Sequence, residues 1–242
     1  MKRAERHHLK EDPLAVRLRA LQDSTSGGRW AVVAAAAVVG LVIGGAFLGW
    51  QQWRDSRASE LLAAAMTVVD APVVPADAGD AAAGAPPGAY PSEAAKLETA
   101  VPRLIEAADA YPSLPQGIAA RYQAAVALGT LGRTAEAAEQ YRLLIDLAGG
   151  GIYGRMARLG RAETHLEAGE YADAIALLET ESRVEATEFP IDAVLMRLGQ
   201  SYRLAEQPAE ATLAFQRLVD EFPASGYRFD AERELDRLGA GQ

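Results

Sequence analysis

The chain has 242 residues, with 24 Lys+Arg against 33 Asp+Glu, three histidines and no cysteine. Without cysteine there is no disulfide framework, thiolate metal site, cysteine nucleophile, c-type haem attachment or lipidated N-terminal cysteine. A net charge of −9 and an aromatic content of only 7% argue against nucleic acid as a partner, because phosphate binding needs a basic surface, and alanine-rich composition favours helices over sheets.

Residues 1–29 are too few for a domain of their own and read as a basic tail. Asp12-Pro13 suits an N-cap and first helical position, with Leu14, Leu18 and Leu21 on one face of a short helix. Ser24-Thr25-Ser26-Gly27-Gly28 then forms a flexible connection, and His7-His8 reads as part of a solvated tail.

Trp30 to Trp50 is free of charge, amide and hydroxyl groups. Its 21 residues would reach about 31 Å as a helix, against a hydrocarbon core of ~30 Å. All three tryptophans, Trp30, Trp50 and Trp53, sit at its two ends, where an amphipathic ring suits the headgroup layer. A cleaved signal peptide would want a short n-region and small residues after the apolar run, whereas 29 residues precede it and its exit, Leu48-Gly49-Trp50-Gln51, is bulky. The segment therefore reads as a transmembrane helix. Gly40, Gly44, Gly45 and Gly49 make two overlapping small-xxx-small pairs, with Ala36 on the face of Gly40 and Gly44. These glycines either mark helix–helix packing or reflect the ordinary composition of membrane helices.

Seven Lys and Arg against four Asp and Glu give the tail a net +3, and 17 against 29 give residues 51–242 a net −12. The positive-inside rule then leaves the N-terminus in the cytoplasm and exports the C-terminal part. Ala58, Leu61, Leu62, Ala65, Met66 and Val69 keep helical spacing, so a helical extension covers 51–70. Residues 71–91 are Ala/Pro/Gly-rich without a period and read as a linker or a disordered loop.

Residues 92–242 repeat. Leu195-x2-Leu198-Gly199-x2-Tyr202, Ala211-x3-Phe215 and Pro223 follow the tetratricopeptide pattern, with Leu in place of Trp. Gly199 and Ala211 are small where paired helices cross, Tyr202 and Phe215 fill the space beside them, and Pro223 stops the second helix. Ala137, Ala174 and Ala211 recur at intervals of 37 residues, and one further step back reaches Ala100. Gly132 and Gly169 fall at the turns between paired helices. The spacing predicts helices near 116–131 and 134–148, 153–168 and 171–182, 191–205 and 208–221, with a closing helix near 226–238. The 92–111 segment is a second-helix unit, its first helix being the 51–69 extension; Pro102 either kinks it or marks its start. The fold class is all-α: one N-terminal transmembrane helix, then a TPR-like solenoid of three to four helix pairs with a capping helix.

This layout resembles the ancillary SecYEG translocon subunit family (YfgM-like). The resemblance is carried by Leu159-Gly160-Arg161-Ala162 through Gly169-Glu170-Tyr171-x2-Ala174, by Ala135-Glu136-Ala137, and by Phe222-Pro223-Ala224-Ser225-Gly226-Tyr227. It implies a single-pass inner-membrane protein of bacteria with a periplasmic domain, acting beside the translocon and periplasmic folding factors.

No phosphate loop, H-E-x-x-H, G-x-S-x-G or triad stands out. Gly149-Gly150-Gly151 reads as a turn, His165 as a packed or half-exposed repeat residue, and Glu179, Glu181, Glu185 and Glu188 as a solvated face. No enzyme, cofactor, metal or small-molecule substrate is expected. Function should then lie on the concave face, lined by the first helix of each pair. The stripe there is Tyr122, Val126, Gly129; Leu159, Glu163, Leu166; and Met196, Gln200, Arg203. It is read as a protein-binding surface, centred on Tyr122, Leu159, Glu163, Met196, Gln200 and Arg203, unless part of it packs on the closing helix or on 92–111. The expected partners are proteins or unfolded segments, translocon subunits or folding factors among them, and the bilayer. A scaffold in envelope assembly or division, or a single-pass signalling protein, fits the same sequence.

Overall fold

The computed structural model describes residues 28–75, 77, 84–184 and 189–240. Its regular elements are α1 (Gly28–Val69), α2 (Glu93–Ala110), α3 (Pro115–Thr130), α4 (Thr134–Ala148), α5 (Ile152–Glu167), α6 (Tyr171–Ser182), α7 (Ile191–Leu204), α8 (Pro208–Glu221) and α9 (Arg228–Ala240). The helix and the histidine pair expected before residue 28 lie outside the described residues.

Two units divide between Asp55 and Ser56. In the first, α1 is apolar and long enough to cross a membrane, and its apolar side chains face outward, Trp30 and Leu41 being 74% and 77% exposed. Open space lies where a Cβ would sit on Gly40, Gly44, Gly45 and Gly49. The Arg54 guanidinium lies over the Trp50 ring, 4.7 Å from its centroid.

The second unit is an all-helical solenoid. Each helix from α2 to α9 packs on its chain neighbour, and α3 also touches α5, as the first helices of successive hairpins do. Helix ends follow from local chemistry. Ser92 Oγ accepts the Ala95 N–H at 3.1 Å to cap α2, and Pro115 and Pro208 open α3 and α8, where proline's missing N–H costs nothing. The α3–α4 and α5–α6 turns place Gly132 (φ 72°) and Gly169 (φ 75°) in the left-handed region, and the α7–α8 turn places Glu206 (φ 59°) there.

The crossings are lined by alanine. Ala100, Ala137, Ala174 and Ala211 are each fully buried, as is Phe215. A Cβ on Gly199 would lie 2.5 Å from Phe215 Cε1, so only glycine lets α7 approach that ring. Pro223 follows directly on the α8 C-cap, Phe222. One core gathers Ala162, Leu178, Leu195, Phe215 and Leu218 of the last two pairs. Another gathers Leu97, Leu128, Tyr141 and Leu144. Ala65 and Val68 of α1 pack with Ala100 and Leu104 of α2 and Ala124 of α3, while Leu61 and Leu62 pack on Ala107, Ala108 and Ala120.

Three expectations need correction. Pro102 does not mark the start of α2, since the helix runs from Glu93 to Ala110 with Pro102 inside and its ring exposed. The 71–91 segment is not loose at its ends: Val74 N–H donates to the Tyr90 carbonyl at 2.8 Å and Tyr90 N–H to the Pro72 carbonyl at 2.9 Å, and Tyr90 packs against the Ala65–Leu104 cluster. Glu181 is not on a solvated face. It is 1% exposed and ion-paired with Arg158 of α5, because burying a carboxylate demands a counter-charge. Glu185 and Glu188 lie outside the described residues.

Candidate protein-binding groove

Residues spaced four, seven and eleven apart share a helix face, and Ile152, Met156, Leu159 and Glu163 do so along α5. With Tyr122 of α3 and Ala193, Met196, Arg197 and Gln200 of α7, they line a groove of about 670 Å³. Phe189 and Pro190, before α7, and Tyr227 and Asp230, at the start of α9, close its margins. The volume is that of a ligand site rather than a packing defect.

Apolar and aromatic groups make most of this lining. Tyr122 packs against Tyr141 of α4 and Tyr153 of α5, with ring centroids 6.3 and 6.0 Å apart, within the range of favourable tilted aromatic pairs. Burial, and then the neighbouring Tyr153, push the Tyr122 phenol above its ordinary value. Burial foremost, with Tyr122, Glu163 and Glu167 adding to it, pushes Tyr141 up to about 12. Both phenols stay neutral in the physiological range. Arg155 stacks over the Phe189 ring, 5.6 Å from its centroid. In the groove wall, Arg197 pairs with Glu163 at 3.1 Å and donates to Gln200 Oε1 at 3.0 Å.

Five of the six residues singled out on the concave face, Tyr122, Leu159, Glu163, Met196 and Gln200, come together in this groove. Arg203 does not. It lies 3.5 Å from Glu234 of α9, so the closing helix takes the end of the stripe. Leu166 packs into the core, and Val126 is exposed outside the groove. Met156 and Ile152 continue the predicted α5 stripe by one and two turns, a signal present in the periodicity. Phe189 and Tyr227 sit outside helical periodicity, and nothing in the spacing marks them.

The repeat-packing residue Tyr202 is half-buried; its hydroxyl donates to Glu179 of α6. Burial first, then that carboxylate, push Tyr202 to about 12. His165 Nδ1 lies 2.6 Å from Glu170 Oε2. With Asp173 these form a grouping of metal-ligand type at the α5–α6 turn; the histidine–carboxylate hydrogen bond already accounts for the contact. Gly149 ends α4 with φ 53° and Gly151 precedes α5, so the glycine triplet is a turn.

The tetratricopeptide repeat family matches residues 193–225, which are most of α7, α8 and the turn that follows. No curated protein matches the chain at a significant level. Two crystal structures of nearly identical TPR-like repeats from Podosopora anserina, in a chain described as a kinesin light chain, superpose with TM-scores of 0.52, for a single-substitution form, and 0.51. Each is 19% identical and covers 59% of this chain and 77% of its own. At that identity the likeness is one of fold: Ser56–Gln242 carries a TPR-like helical solenoid.

Proposed function

We propose that this chain is a non-enzymatic interaction protein anchored in the bacterial inner membrane, whose solenoid takes a segment of another protein in the groove between α3, α5 and α7. The observation that carries the reading is the groove itself: half-buried Tyr122, Met156 and Leu159 stand over the core residues Met196 and Phe189 on helix faces that repeat solenoids use for recognition. The apolar 30–50 stretch of α1 spans the bilayer, with the +3 tail in the cytoplasm and the −12 remainder in the periplasm. The partners are subunits of the export machinery or periplasmic folding factors, in keeping with the resemblance of its layout to ancillary translocon subunits.

Photo-crosslinking in living membranes from positions 163 and 200 tests this, with position 213 on the exposed face of α8 as control. Translocon or folding-factor subunits should be trapped from 163 and 200 and not from 213. Capture solely of division or outer-membrane assembly proteins would replace the translocon assignment with an envelope scaffold. Protease added to spheroplasts should digest 92–242 and spare the tail; the reverse pattern would invert the topology.

A further inference from the structure

The charge balance of the groove narrows what it can hold. Three charged side chains line it, Glu163, Arg197 and Asp230, and each has its counter-charge within the chain. Glu163 pairs with Arg197 at 3.1 Å, and Asp230 pairs with Arg233. The Glu163–Arg197 side chains are 40% and 47% exposed, so the pair forms a closed, neutral element of the wall that an occupant touches. Around it stand Tyr122, Met156, Leu159, Phe189 and Met196.

A charged group entering such a wall leaves water without finding an unpaired counter-charge, and an uncompensated desolvation of this kind costs affinity steeply. An apolar side chain meets the opposite situation. It displaces water from apolar surface, and the unbranched thioether of the half-buried Met156 repacks around differing shapes. Folded proteins bury most of their large apolar side chains, so contiguous uncharged apolar stretches are offered chiefly by chains that have not yet folded.

We propose that the groove takes an uncharged, apolar segment of a non-native protein chain, chosen by charge neutrality rather than by sequence. The proposal rests on the reading of the groove as the interaction site and adds the chemistry of its occupant.

Fluorescence anisotropy tests it with the full chain in nanodiscs, empty nanodiscs serving as blank. The probes are labelled peptides of Leu, Val, Ala and Ser, identical except for a central Ser, Lys or Asp. The central-Ser peptide should bind tightest, by about tenfold over both charged versions. Its Kd should change less than about twofold as the Debye length is shortened from ~30 to ~3 Å with salt. Arg197→Gln, which frees the Glu163 carboxylate, should tighten the central-Lys peptide by about tenfold, and Glu163→Gln should do the same for central Asp. A central-Lys or central-Asp peptide that binds the unaltered chain as tightly as central Ser, or a steep salt dependence of the central-Ser peptide, overturns the proposal while leaving the groove an interaction site. If none of the three binds while crosslinking from positions 163 and 200 still traps a partner, the proposal falls and the groove remains an interaction site; if neither occurs, both readings fall.

Discussion

Arg158 and Glu181 stand, one 37-residue step earlier, where Leu195 and Leu218 stand in the last repeat. A buried ion pair thus replaces an apolar pair in the same layer of the stack. Arg158 also donates to the Gly149 carbonyl at 3.0 Å, whereas Glu181 Oε2 is buried with no hydrogen-bond partner among the described residues. Such a pair is costly to break and easy to replace. Arg158→Leu or Glu181→Leu alone should destabilise the chain by about 3–5 kcal/mol. The double substitution, which copies the Leu195/Leu218 layer, should be neutral or stabilising by about 1–4 kcal/mol. Urea unfolding of the four proteins in detergent, followed by circular dichroism, measures the coupling; additive losses in the double variant would contradict it. The turns offer a second comparison. Gly132 and Gly169 adopt positive φ without strain, but Glu206 adopts it with a Cβ, where a side chain costs about 1–2 kcal/mol and glycine's extra unfolded-state entropy offsets part of the relief. Glu206→Gly should therefore stabilise by ~0.5–1 kcal/mol, read as a raised urea midpoint, whereas Gly169→Ala should lower it. At this scale the sequence is readable only through the register. Glu181 looks like one more acid in a run because its partner is 23 residues away, and Glu206 looks like an ordinary turn residue until it is set beside the two glycines.

Helices are where the sequence speaks most plainly, because their ends are written in local chemistry. Glycine turns, Pro115, Pro208 and the Ser92 cap place the ends of α2 to α9 within two residues of the periodic pattern. The groove is legible in part for the same reason. Its helix-borne members lie on stripes that periodicity marks, while Phe189 and Tyr227 depend on how α7 and α9 meet the stack, which no local rule encodes. Pro102 shows where a local rule is overridden. Proline inside a helix removes a backbone hydrogen bond and clashes with the carbonyl four residues back, yet α2 continues through it, with Val101 and Leu104 buried on either side. Packing of that apolar face holds the helix together against the break, so the cost remains stored in it. Replacing the exposed ring by Ala should recover about 2–3 kcal/mol, with the helical signal unchanged and the urea midpoint raised. An unchanged midpoint would mean that α2 is already relaxed around the proline.

For the chain as a whole, the question is where the solenoid begins. Repeat stacks need their terminal units covered, since each repeat buries its apolar face only against a neighbour. At the C-terminal end α9 does this, with Ala231 buried in the core of the last pairs. At the other end the cover is the part of α1 beyond Asp55: Leu61, Leu62, Ala65 and Val68 lie on α2 and α3, and Gln116 Nε2 donates to Ser59 Oγ at 3.1 Å. The part of α1 beyond Asp55 therefore lies over the apolar faces of α2 and α3, and the ends of the segment that follows it are joined by the Val73–Tyr90 bridge. A fragment starting at Ser56 should fold with nearly the stability of the full chain. A fragment starting at Pro91 would uncover Ala100, Leu104, Ala107, Ala108, Ala120 and Ala124. With each fully buried Val- or Leu-sized side chain contributing about 1.5–3 kcal/mol, the loss of Val68 together with the half-buried Leu61, Leu62 and Met66 should cost ~3–6 kcal/mol, a large share of the roughly 5–15 kcal/mol typical of a domain. Urea midpoints of the two fragments decide it. Equal midpoints would mean that the solenoid starts at α2 and that the end of α1 merely rests on it. A large gap would make the α1 extension the first helix of the first repeat.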